Sequence, residues 1–192
     1  TDYNDDLPGA DGSNFWAGDE EIGGYLDSWI QYLDTPSILV GDNGSISAKI
    51  YYALEDYAGA TVGGSCTDGW DAANVRISTD GGSTWDLLED NNNPYHFDCG
   101  YGWIYNDDEY ETGGSLNHLA AGWGGISEIN DHGWIETWLD FTADLFDYAG
   151  QDVIIRFAFG SDPSYSTAQN SDISGFQVDE IKISDDSGQI FL

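Results

Sequence analysis

The sequence predicts an all-β chain folded as an antiparallel two-sheet sandwich of jelly-roll type, and three observations carry that prediction. Apolar and polar residues alternate with period two in several separate segments. Turn chemistry punctuates the chain roughly every 8–15 residues, which gives about seven to ten short strands. Scarcely any segment carries a helical period, so two packed sheets suit the chain better than alternating strands and helices.

Residues 1–24 are acidic and glycine-rich and read as an N-terminal arm, although Phe15 and Trp16 are apolar enough to dock. Residues 25–40 place Trp29, Tyr32 and Leu33 ahead of a Thr35-Pro36 break and a short apolar strand at 37–40. Gly41-Asp42-Asn43-Gly44 is a turn, with Asn-Gly as its strongest signal, and Asn43-Gly44-Ser45 is also a glycosylation sequon. Residues 45–54 alternate, with Ile46, Ala48, Ile50 and Tyr52 on one face. After a loop at 55–69, Asn74-Val75-Arg76-Ile77-Ser78 forms the first arm of a hairpin. Thr79-Asp80-Gly81-Gly82-Ser83 turns it and 84–88 return.

Residues 89–133 are aromatic, acidic and the least regular, and form a loop lobe. Strand character resumes at 134–141. Residues 142–150 hold one helical turn closed by Gly150, and Val153-Ile154-Ile155-Arg156-Phe157-Ala158-Phe159 is the clearest strand of all. After a polar loop, 176–184 form the last core strand, and 185–192 are a tail ending Ile190-Phe191-Leu192. The sandwich therefore spans 25–184.

Thirty-six acidic residues face four basic ones, for a net charge of −32. Such a chain repels phosphate backbones and anionic lipid, which argues against nucleic-acid partners, and no apolar run approaches the roughly 20 residues of a membrane span. Cys66 and Cys99 suit the single disulfide of a secreted protein, with two buried free thiols as the alternative. The absence of methionine suggests a processed or excised chain whose secretion signal has been removed.

Asp outnumbers Glu 27 to 9, and Asp both caps turns and ligates hard cations. In Phe176-Gln177-Val178-Asp179-Glu180-Ile181-Lys182-Ile183 the apolar phase slips, which demands a bulge at Asp179-Glu180. A bulge there would turn Asp179 toward a cation, with Glu55, Asp71 and Glu21 as partners at the same end. Ca2+ is the expected ion, and it would also relieve repulsion.

Several segments resemble the MAM-like jelly-roll modules of secreted bacterial proteins, including the non-catalytic domain of immune-inhibitor-A-type metallopeptidases. They are Trp29 with Leu33-Asp34-Thr35-Pro36-Ser37-Ile38, Tyr51-Tyr52-Ala53-Leu54-Glu55, Trp70-Asp71 with the hairpin through Trp85, Asp147 to Phe157, and Gly175 to Ile181. The resemblance implies the same sandwich, an adhesion, carbohydrate-binding or accessory role, and Glu55, Asp71 and Asp179 as cation ligands. The Cys66–Cys99 loop and the aromatic 95–134 lobe depart from it. Ser78-x-Asp80-x-Gly82-x-Thr84-Trp85 is similar to the structural Asp-box turn of sialidases, and a single copy makes no propeller.

Tyr101, Trp103, Tyr105 and Trp123, with Tyr95 and Trp134, offer faces for stacking sugars, or else fill the core of the lobe. His96, His118 and His132 show no zinc spacing and the serines no nucleophile elbow, so no enzyme is expected. Phe15, Trp16, Ile190, Phe191 and Leu192 sit in polar ends, suited to docking on another copy or a neighbouring surface protein, unless they fold back on their own sheets. The expected function is a secreted, cell-surface or extracellular, Ca2+-stabilised interaction module of adhesion or self-assembly, a filament included. The alternative is a glycan-binding accessory module of a larger secreted hydrolase or peptidase.

Overall fold

Two antiparallel sheets pack face to face in the computed structural model, which describes residues 2–4, 14–61, 66–106, 119–127 and 138–191. With strands numbered in chain order, the first sheet runs β1 (Asp2–Asn4), β2 (Asn14–Ala17), β12 (Gly175–Asp185), β5 (Ser45–Ala53), β10 (Leu139–Asp144), and β13 (Gly188–Phe191) also pairs with β12. The second runs β3 (Ile30–Asp34), β11 (Asp152–Gly160), β7 (Ala72–Ser78), β8 (Asp86–Leu87), with β4 (Ile38–Leu39) on β11. A short parallel pair, β6 (Asp68–Gly69) and β9 (Cys99–Gly100), belongs to the lobe.

The predicted alternation becomes the core. Ile46, Ala48, Ile50 and Tyr52 of β5 face Val153, Ile155, Phe157 and Phe159 of β11, with Val75 and Ile77 of β7 beside them. Burying each large side chain of this set stabilises the fold by about 1.5–3 kcal/mol. The bulge is where the phase slip placed it: the β12–β5 register shifts between Asp179 and Lys182, and Glu180 takes φ +48°. The bulge also divides the other edge of β12, where β2 pairs with Phe176–Val178 and β13 with Ile183–Asp185.

Both ends take the alternative to docking and fold back on the chain's own sheet. Residues 14–17 are a strand of the main sheet rather than part of an arm, with Trp16 buried and its indole N–H donating to the Ser174 carbonyl. Ile190 and Phe191 fold back through β13 and pack on the core. Leu192 lies outside the described residues. Strand pairing at two ends of one edge satisfies more backbone groups than a free tail does.

The outer face of the second sheet is covered as well. Asn74 Nδ2 donates to the carbonyls of Leu119 and Ala121, at 2.9 and 2.7 Å. Cations and aromatic faces interleave across the sheet: Arg76 lies 4.4 Å from the Trp103 ring and 5.9 Å from Tyr32, and Arg156 lies 4.0 Å from both Tyr32 and Trp85. Asp34 holds Arg156 through two hydrogen bonds of 2.7 and 2.8 Å. This ladder joins the hairpin to the short helix α1 (Tyr101–Asn106) that carries Trp103. The Asp-box turn is structural, as expected. Asp80 accepts from the Thr84 and Ser83 amides and the Thr84 and Ser78 hydroxyls, which holds its carboxyl down at about 2.

Cys66 and Cys99 form a disulfide across a sequence separation of 33. Closing a loop of that length stabilises the native state by about 3–4 kcal/mol on a chain-entropy basis. Replacing both cysteines by serine should therefore lower the unfolding free energy by about that amount, read from urea denaturation with far-ultraviolet circular dichroism. A loss below about 1 kcal/mol would mean that the lobe is held by its packing alone.

Candidate metal centre

Three strand ends meet at one end of the sandwich, and each delivers a carboxylate. Glu55 follows β5, Asp71 precedes β7 and Asp162 follows β11. The pairing of β11 with β7 ends at Gly160 opposite Ala72, and just beyond that pair the chain brings Asp162, after Ser161, back to Asp71. The Asp162 amide then donates to Asp71 Oδ1 at 2.8 Å. Residues 122–126 clip the two sheets together here. Leu54 N donates to the Gly125 carbonyl and Gly125 N to that of Glu55, both at 2.9 Å, while Ala73 bridges to Trp123. Gly124 is required at this crossing, because a Cβ would sit 2.9 Å from the Phe97 ring and 3.1 Å from the Asp71 carbonyl.

The carboxylate oxygens of Glu55, Asp71 and Asp162 lie within 4.8 Å of one another. Asp71 is 1% exposed, and Tyr25 donates its phenol proton to Asp71 Oδ2. Ser28 N donates to the Asp162 carbonyl at 2.6 Å, which lays residues 25–28 along the cluster. That segment brings a fourth acid, Asp27, close enough to raise the carboxyls of both Glu55 and Asp162.

Among the described residues no cationic side chain pairs with this cluster. Lys49 pairs with Asp140, Lys182 with Glu180 and Arg156 with Asp34, and Arg76 stacks on Trp103. Burial first, and then the neighbouring carboxylates, push Glu55 up to about 8. Burial pushes Asp71 up to about 7 against its hydrogen bonds, and raises Asp162. Two oxygens, Glu55 Oε2 and Asp27 Oδ1, are buried with no hydrogen-bond partner. Buried orphan acceptors among converging carboxylates are what a hard divalent cation satisfies, since Ca2+ takes six to eight oxygens. The donor set fits such an ion.

The structure thus brings together two of the four predicted ligands, Glu55 and Asp71. Asp179 stands opposite Lys49 on the outer face of the first sheet, and its Oδ1 accepts from the Glu180 amide. The bulge re-aims the chain there but turns Asp179 away from the cluster. Glu21 is exposed in the turn between Asp19 and Gly24. Asp162 and Asp27 are the acids that the sequence reading missed. The signal for Asp162 was its place just beyond β11, as Asp71 sits just before β7. Cys66, Asp68 and Cys99 also converge, but the two sulfurs are joined to each other and offer no thiolate.

The aromatic residues expected to stack sugars are otherwise employed. Trp123 is fully buried against Tyr52, Tyr95, Phe141 and Phe176, and Trp103 is 1% exposed beneath Arg76. Neither ring has a free face for a ligand. Tyr101 is half-buried, edge-on to Trp70. The side chain of Tyr105, and Trp134, His118 and His132 altogether, lie outside the described residues. Among the described residues no helix is long and apolar enough to cross a membrane. No protein-family model matches the chain, and no curated protein matches it.

Proposed function

We propose that this chain is a non-catalytic extracellular module that works by binding in cell-surface adhesion, its strand ends held by one Ca2+ among Glu55, Asp71, Asp162 and Asp27. The observation that carries this reading is the pair of orphaned buried oxygens, Glu55 Oε2 and Asp27 Oδ1, beside two more carboxylates, with the lysines and arginines engaged elsewhere. A catalytic reading of the same acids is less favoured, because both oxygens of Asp71 are already engaged and the residue is sealed from any substrate. The disulfide supports an oxidising compartment. Adhesion is preferred to self-assembly because Phe15, Trp16, Ile190 and Phe191 belong to the chain's own sheet, which removes the detached segments that would dock on a second copy.

Isothermal titration calorimetry of Ca2+ into metal-stripped protein at pH 7.5 tests the reading. A single site is expected, weakened at least about tenfold in Glu55→Gln and in Asp162→Asn. Absence of Ca2+ binding, or binding that both substitutions leave unchanged, would overturn it.

A further inference from the structure

A cleft of about 430 Å3 opens beside the carboxylate cluster, between residues 54–57 on one side and 165–173 on the other. We infer that this cleft binds a neutral saccharide, one pyranose ring lying against Tyr165 or Tyr57 with its hydroxyls met by Asp56, Asn170 and His96. The volume is within the span of roughly 300–1,000 Å3 typical of small-molecule sites.

Tyr165 is the first indication. The residue is 44% exposed and stacks on no ring among the described residues, yet its backbone sits at φ +68°. A bulky side chain in the left-handed region is strained, which glycine or asparagine would avoid. Such backbone outliers cluster at ligand contacts, and this one holds Tyr165 at the lip of the cleft. Tyr57 offers a second, half-buried ring at the opposite lip, backed by His96 at 4.9 Å between centroids.

The polar lining sets the ligand class. Sugar hydroxyls both donate and accept, and the cleft supplies both complements. Asp56 is an acceptor, its carboxylate fixed by the Ala58 amide at 2.9 Å. The Asn170 carbonyl oxygen already takes the Asp172 amide at 3.0 Å, which leaves its NH2 as donor. His96 Nδ1 lies 3.0 Å from the Gly124 carbonyl and 3.4 Å from the Gly124 amide; with the proton on Nδ1 toward the nearer carbonyl, neutral His96 keeps Nε2 as an acceptor. Asp56 at the mouth, on a chain of net charge −32, disfavours phosphorylated, sialylated and uronate ligands. An apolar peptide would leave these groups unpaired.

The inference rests on the proposed Ca2+ module in one respect. Glu55 directly precedes the Asp56-Tyr57 lip, and Asp162 lies three residues before Tyr165. A cation joining those two carboxylates fixes both lips of the cleft, so saccharide affinity should require Ca2+.

Saturation-transfer difference NMR, followed by calorimetry, tests this with glucose, galactose, mannose, cellobiose and lactose in 5 mM Ca2+, against sialic acid and glucuronate. At least one neutral sugar is expected to bind with a Kd of about millimolar or tighter, and neither anion. Tyr165→Ala and Asn170→Ala should each weaken it at least about tenfold without changing Tm, and EDTA should do the same to the parent protein. If no neutral sugar binds while Ca2+ still titrates into its site, the saccharide inference fails and the Ca2+ module stands. Sugar binding that survives both substitutions would put the site elsewhere. Sugar binding untouched by EDTA would cut its link to the metal centre.

Discussion

At pH 8, millimolar Ca2+ added to the metal-stripped protein is expected to raise Tm by about 5–10 °C. A ligand at 100 times its Kd stabilises by about 2.7 kcal/mol, and each kcal/mol moves Tm by roughly 2–4 °C in a domain of this size. The shift should depend on pH. Glu55 and Asp71 are raised to about 8 and about 7 in the folded state, against ordinary values near 4.3 and 3.9 when unfolded. Between roughly pH 4 and 8 the folded chain therefore binds more protons than the unfolded one. Metal-free protein must lose stability as pH rises through that window, the reverse of an ordinary salt-bridged carboxylate. Ca2+ takes the place of those protons, so its effect should be greatest at pH 8 and fade toward pH 5. Differential scanning calorimetry at several pH values, with and without EDTA, reads both curves. A metal-free Tm that climbs from pH 5 to pH 8 would contradict the arrangement of the cluster.

Trp123→Ala is expected to cost about 3–5 kcal/mol, a large part of the roughly 5–15 kcal/mol that holds an ordinary domain. Trp123 stacks on Tyr52 with centroids 6.0 Å apart and planes 5° apart, and meets Tyr95 at 4.7 Å. Its indole N–H donates to the Asn93 carbonyl at 2.9 Å, and its backbone bridges to Ala73. One residue thus ties the lobe, the first sheet and the second sheet together. Trp123→Phe should cost less, since it keeps most of the volume and loses the hydrogen bond. Urea denaturation measures both. A loss under about 1.5 kcal/mol for the alanine variant would mean that the three layers do not unfold as one unit.

How much of this was legible in the sequence follows from how local each signal is. Alternation in β5 and β11 is a property of consecutive residues, and so is the phase slip that marked the bulge. The sandwich, the hairpin and the bulge could all be read for that reason. Glu55 and Asp71 are legible because each adjoins a recognisable strand and lies in a segment that resembles the MAM-like modules. Asp162 is not, because its proximity to Asp71 depends on the register of β11 against β7, and no short stretch encodes which residue faces which. Strand β2 reads as part of an arm because four residues flanked by acids and glycines carry little pattern, and its partner is near the other end of the chain. Tyr165 stood in a polar loop with nothing periodic around it; only its backbone angle and its place on the cleft distinguish it.

The pairing of Phe15 with Val178 also bears on the order in which the chain folds. Strand β12 acquires β13 through a two-residue turn, while β5 reaches it from the first third of the chain. Strand β2 must instead close a loop spanning most of the polypeptide, a contact that is late and slow in a topology dominated by distant pairs. Until it arrives, the Phe176–Val178 edge of β12 is an open template for strands of other molecules. A net charge of −32 then acts as kinetic protection, because two half-folded copies repel each other while each waits for its own N-terminal strand.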